Sequence, residues 1–220
     1  MNPRTKRVGL LGGTFDPVHN GHLQIAEIAK HFCDLQEVLL IPAAVPPHKH
    51  GKAVASFNHR AKMIQLALAG RPDFRLSTIE ANLSVPSYTI DTLRYLHNQA
   101  PLTTDFFFII GADAFLDISS WKMYREVLGA AHLVVLDRAG FASCEVQDLI
   151  KGLGYEPDDT PHSWHHPSLQ KKIFSPFFPA TAISDISSSR IRQKIRDNMA
   201  VAGLMPVAVL EYIQTHGLYV

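Results

Sequence analysis

Short, unbroken apolar runs alternate along this chain with stretches of helical periodicity. Val8-Gly9-Leu10-Leu11, Glu37-Val38-Leu39-Leu40-Ile41, Phe106-Phe107-Phe108-Ile109-Ile110 and His132-Leu133-Val134-Val135-Leu136 lack polar alternation, as strands buried on both faces do. Phe74-Arg75-Leu76-Ser77 and Lys172-Ile173-Phe174 are shorter candidates. Between the runs, Leu23, Ala26 and Ala29, flanked by Ile25, Ile28 and Phe32, predict a well-buried helix from about Gly21 to Phe32. Met63, Ile64, Leu66, Ala67 and Leu68 predict a second, from about Phe57 to Ala69. Ile90, Leu93 and Leu96 predict a third that ends near Gln99, with Ser87 as its N-cap. Trp121 to Leu128 and Cys144 to Leu153 read as helical, Ser187 opens another helix, and Pro206 opens a last one through Ile213. Gly154 to Leu169 is polar and rich in Pro and His, and reads as a long surface loop.

Strands that alternate with helices imply right-handed crossovers. The expected fold is therefore α/β and Rossmann-like: a doubly wound, mostly parallel sheet with helices on both faces. The length, 220 residues, suits one such domain over 1–220, with the helices from about 187 folded into it. Ligands of such sheets gather beyond the carboxyl ends of the strands. His19, His22, His48, Lys49, Gly111, Asp113 and Arg138 all follow predicted strand ends, so they should converge on one crevice.

Charge and cysteine content narrow the partners. Lys and Arg number 21 against 20 Asp and Glu, which leaves no footprint for a long nucleic acid. Cys33 and Cys144 form no CxxC, so neither a disulfide framework nor a thiolate zinc site is expected. His162, His165 and His166 lack partnering Cys and fall in the predicted loop, which argues against a structural metal there. The first residues carry no apolar signal region, and no window is apolar enough to span a bilayer; a cytoplasmic protein is the expectation. Oligomeric state is open.

The candidate chemistry starts at Gly12-Gly13-Thr14-Phe15-Asp16-Pro17-Val18-His19-Asn20-Gly21-His22. Strand, tight turn and helix start form a seat for phosphate, because backbone N–H groups and the helix dipole both favour an anion. The stretch is neither GxxxxGK[ST] nor GxGxxG. A plain glycine turn accounts for Gly12-Gly13 but not for two histidines at a helix start. As it stands, the stretch resembles the signature of the nucleotidyltransferase superfamily, whose [T/H]xGH motif is matched by His19-Asn20-Gly21-His22. Ile186-Ser187-Ser188-Ser189-Arg190-Ile191-Arg192 resembles the second motif, ISSTxxR, with Ser189 keeping the hydroxyl of the usual Thr. Over nearly its whole length the chain resembles the bacterial nicotinate-nucleotide adenylyltransferase family. Pro46-Pro47-His48-Lys49, Pro86-Ser87-Tyr88-Thr89, Ile110-Gly111-Ala112-Asp113 with Trp121, and Tyr212-Ile213 to Gly217-Leu218-Tyr219 carry that likeness. Lys122 departs from it, since an aromatic residue often follows the Trp, and 140–170 matches poorly.

The resemblance implies a step of NAD synthesis in which the adenylyl group of ATP passes to nicotinate mononucleotide and pyrophosphate leaves. Such a transfer needs positioning and charge stabilisation more than a protein nucleophile. His19 and His22 would then be catalytic, donating to the α-phosphate and the departing pyrophosphate. The implied ATP site adds Gly12, Gly13, Thr14, Phe15, Lys49, Gly111, Asp113, Arg138, Ser187, Ser189 and Arg192. The implied acceptor site comprises Thr14, Phe15, His48, Tyr88, Thr89 and Trp121. Mg²⁺ would be held mainly by ATP phosphates and water. Plainer readings stand beside these: Arg192 as a solvated charge, Lys49 as an exposed loop cation, Asp113 as a helix cap, Trp121 as core. The alternative functions are another nucleotidyltransferase (acting on nicotinamide mononucleotide, phosphopantetheine or a cytidylyl acceptor) or a non-catalytic nucleotide-binding regulator.

Overall fold

A computed structural model describes residues 5–45, 54–136, 143–176 and 186–220. Among the described residues, eight strands form one sheet: β1 (Lys6–Gly13), β2 (Glu37–Pro42), β3 (Phe74–Leu76), β4 (Thr104–Gly111), β5 (His132–Leu136), β6 (Glu156–Pro157), β7 (Ser163–His165) and β8 (Lys172–Phe174). Their spatial order is β3-β2-β1-β4-β5-β8-β7-β6. Every pairing from β3 across to β8 is parallel, while β8·β7 and β7·β6 are antiparallel. The chain reverses its direction of growth between β1 and β4, the switch point at which doubly wound sheets bind ligands.

The central strands are apolar throughout because both faces are covered. Phe106, Phe108 and Ile110 point into a core shared with α3 (Thr89–Gln99), α4 (Ala112–Leu116), α5 (Tyr124–Ala130) and α6 (Ser143–Gly152). Phe107 and Ile109, one residue out of phase, point into the opposite core, with α1 (Asn20–Phe32), α2 (Phe57–Ala67), α7 (Ser188–Arg196) and α8 (Val207–Thr215). Leu133 and Val135 against Val134 and Leu136 repeat the alternation on β5. The period-2 pleat thus splits one apolar run between two layers.

Three expectations need correction. Gly154 to Leu169 is not a surface loop: β6 and β7 extend the sheet, Trp164 pairs with Ile173, and Trp164 and Tyr155 are buried in the α3–α6 core. Strands of two and three residues are too short to show a period. The same segment scatters its histidines. His162 takes a left-handed turn (φ 60°), His165 Nε2 lies 3.9 Å from Glu156, and His166 packs edge-on against Tyr155. Ser87 does not cap α3. Tyr88 holds that position, and the Ser87 hydroxyl instead accepts from the backbone N–H groups of Ala44 and Val45. Trp121 precedes α5 rather than opening it; it ends a 3-10 turn over Ile118–Ser120, and the helix starts at Tyr124 after a left-handed Met123.

Candidate active site

The turn after β1 is built around a buried aromatic ring. Phe15 adopts φ 51° and is only 1% exposed. Gly13 permits this, because a Cβ there would lie 3.1 Å from the ring. The ring stands edge-on to His22, with centroids 4.9 Å apart. His19 is the N-cap residue of α1, and its ring stacks on that of His22 at 3.7 Å. Gly21 leaves space for the stack, since a Cβ would come within 3.1 Å of the His19 ring. The two histidines share one side of the first turn, as their spacing predicts. They differ in access: His19 is 1% exposed, whereas His22 lines a cleft of about 610 Å³. The His19 N–H donates to His22 Nδ1 at 3.3 Å. With Nδ1 accepting, a neutral His22 carries its proton on Nε2 and presents a donor.

The cleft opens beyond the carboxyl ends of β1 and β4. Gly12, Gly13, Thr14 and Phe15 line it on one side, and Gly111 and Asp113 on another. The Asp113 carboxylate folds back over Gly111, where a Cβ would lie 2.5 Å from Oδ1, so a side chain there would push the carboxylate aside. Gly111 is the N-cap residue of α4, and Asp113 makes no cap bond there. Tyr88, Thr89 and Trp121 line the far wall. Trp121 is half-buried and meets Phe108 edge-on at 6.0 Å, so it serves wall and core together. Lys122 lies over the Tyr88 ring at 4.4 Å and pairs with Asp91 at 3.0 Å. His48, Lys49 and Arg138 lie outside the described residues.

The Ser-rich segment near the C-terminus docks against the histidine turn. Ser187 caps α7, accepting from the Arg190 N–H. Ser188, which sequence reasoning passed over in favour of its neighbours, donates to Pro17 O at 3.0 Å and is the serine of the three that lines the cleft. The phase of the helix decides which hydroxyl faces inward, and a run of three serines hides that phase. Arg192 is no solvated charge. Its Nη1 donates to Asp16 O at 2.6 Å and lies 3.5 Å from Asp16 Oδ2, while Nη2 donates to Ser189 Oγ at 3.2 Å. Asp16 is 1% exposed, and its Oδ1 accepts from the Ala55 N–H at 3.1 Å and the Tyr219 hydroxyl at 2.7 Å. Burial and that carboxylate hold the Tyr219 phenol well above its ordinary range.

Sequence reasoning also missed two buried ionisable residues, Glu80 in the cleft wall and Arg60 behind it. Arg60 is 2% exposed and Glu80 is 8% exposed. Burial lowers the Arg60 pKa and raises that of Glu80; hydrogen bonding, first from the Thr92 hydroxyl at 2.8 Å, opposes the shift at Glu80. The only sequence signal for Arg60 is a cation set beside Met63 and Ile64 on the inward stripe of α2.

Strand order, histidine turn and cleft position define a Rossmann-like nucleotidyltransferase, and residues 10–194 match the cytidylyltransferase-like family model. A Desulfotalea psychrophila protein named "Probable nicotinate-nucleotide adenylyltransferase" is 39% identical over 217 residues, covering 97% of this chain and 100% of its own. A Desulfitobacterium hafniense protein of the same name is 36% identical, covering 100% of this chain and 98% of its own. The chain belongs to the nicotinate-nucleotide adenylyltransferase family. A Plasmodium falciparum nicotinic acid mononucleotide adenylyltransferase, solved in complex with NaAD, shares the fold with a TM-score of 0.72 over 97% of both chains at 18% identity.

Proposed function

We propose that this chain transfers the adenylyl group of ATP to nicotinate mononucleotide, forming nicotinate adenine dinucleotide and pyrophosphate. The observation that carries the reading is the joining of two distant motifs at one mouth. Arg192 and Ser188 fasten the Ser-rich helix to Asp16 and Pro17 of the histidine turn, so the starts of two helices from opposite ends of the chain would share a single phosphate chain. His22 Nε2–H would donate to the α-phosphate and to the pyrophosphate as charge builds on it. His19, stacked behind, would hold that ring in place. The N-terminus of α7, set at the cleft by the bond from Ser188 to Pro17, would take the β- and γ-phosphates. An acceptor phosphate oxygen attacks the α-phosphorus in line, and the bond to the bridging oxygen of the pyrophosphate breaks. No protein nucleophile is required. Gly111 and Asp113 suit the adenosine end, and Thr89 and Trp121 the pyridine end.

Mg²⁺ fits this donor set as a phosphate-borne ion. Asp113 is the exposed carboxylate of the cleft, while Glu80 is turned inward to Thr92. The ion would supply charge neutralisation on the phosphates. The deciding experiment measures pyrophosphate release from ATP and Mg²⁺ with nicotinate mononucleotide or nicotinamide mononucleotide. Turnover is expected with the acid form in clear preference. Release with another acceptor and none with nicotinate mononucleotide would overturn the reading.

A further inference from the structure

Arg60 belongs to α2, which carries none of the motifs, yet its guanidinium lies directly under the mouth of the cleft. Its partners are backbone carbonyls from three separate segments. Nε donates to Ala55 O at 3.0 Å, Nη1 to Thr14 O at 2.9 Å and to Ala43 O at 2.8 Å, and Nη2 to Ala44 O at 3.2 Å. Thr14 belongs to the turn that faces nucleotide, and Ala43 lines the cleft where the chain leaves β2. That exit is tied in turn to the acceptor wall, since Ser87 Oγ accepts from the N–H groups of Ala44 and Val45. Burying a cation against carbonyls is costly, and packing alone would be served as well by an apolar side chain of similar volume. What an apolar chain cannot supply is a flat fork of donors that fixes several carbonyls at set separations.

We propose that Arg60 is a positioning residue that sets the gap between the nucleotide turn and the β2 exit. It thereby aligns the acceptor phosphate with the ATP α-phosphorus. The proposal rests on the adenylyl-transfer reading above. Alignment acts on the chemical step: a misplacement of about 1 Å can cost on the order of 10²-fold in rate while each substrate still finds its own half-site.

The test uses the full chain with Arg60→Lys and Arg60→Ala. Lysine keeps the charge but offers a compact ammonium in place of the fork. In Arg60→Lys, kcat per folded molecule should fall roughly 10- to 100-fold, with the separately measured Kd values for ATP and nicotinate mononucleotide each within about threefold of the native ones. In Arg60→Ala, free guanidinium at tens of millimolar should restore part of the lost turnover, and equal sodium chloride should not. Amide exchange at 14–16 and 43–45 should accelerate in Arg60→Lys, while that of α8 stays unchanged. The proposal is overturned if Arg60→Lys turns over within about twofold of the native protein, or if its loss follows only the folded fraction or the ATP Kd. Should Arg60→Ala fail to fold, Arg60→Lys decides. Native protein that makes no dinucleotide condemns the reaction reading alone; the exchange experiment still decides whether Arg60 holds the two segments together.

Discussion

The two edges of the same parallel strands treat histidine in opposite ways. At the carboxyl edge, His22 lies against a cleft, with Nδ1 engaged by the His19 backbone N–H. At the amino edge, His132 opens β5, stacks on Phe107 at 4.8 Å, and accepts the Lys172 N–H at Nδ1. Burial, with Lys171 adding to it, pulls the His132 pKa down to about 4. The amino edge is closed in other ways too. Arg7 covers the Phe107 ring at 4.8 Å, and burial pushes the Cys33 thiol up to about 12. Strand ends on both sides have backbone groups to satisfy. At the carboxyl edge Arg60 and Ser87 satisfy several of them from below, which leaves the turn above to line a cleft.

The sharpest way to break this contrast is His22→Ala. Loss of one preorganised donor to developing charge should lower kcat by roughly 10²- to 10³-fold with little change in melting temperature; near-native turnover in a folded variant would remove the distinction between the edges. His132→Asn should do the reverse. Above pH 6.5, the ordinary His value, the ring is neutral folded and unfolded alike; as pH falls toward about 4, only the unfolded chain takes the proton. Stability carried by the neutral ring is therefore lost across that window, by about 3 kcal/mol. Urea melts against pH should show the acid limb flattened in His132→Asn, with kcat at pH 7.5 unchanged. An identical acid limb in both proteins would show that the ring is not held neutral.

Arg192→Ala comes next. It should raise the KM for ATP about tenfold, as expected when a charged donor to phosphate is lost. Because Arg192 also holds Asp16, some loss of melting temperature should accompany it. An unchanged KM for ATP would confine Arg192 to tying the turn. The smallest effect belongs to Ser189→Thr, which keeps the hydroxyl that receives Arg192; kinetics within about twofold of native are expected.

Much of this was legible in the residues themselves. The unbroken apolar runs gave β1, β2, β4 and β5 within a residue or two, because strands covered on both faces need no polar positions. The histidine turn was legible because glycine, a helix start and two imidazoles sit within eleven consecutive residues. Ser87 misled, since a hydroxyl before a helix is an ordinary cap signal, whereas its real partner, the chain after β2, lies more than forty residues away.

Sequence by itself determined the alternating elements, the doubly wound class and the two motifs, one rich in His and one in Ser, since each rests on neighbours a few residues apart. Tertiary structure alone decided which of the clustered polar residues reach the cleft. It turned Ser188 inward, sealed His19 behind His22, and brought Arg192 and Tyr219 onto Asp16 across 176 and 203 residues of chain. It also placed Arg60 beneath three segments that share no local pattern. A long-range contact leaves no periodic trace in sequence, because its geometry exists only once the sheet has brought its strand ends together.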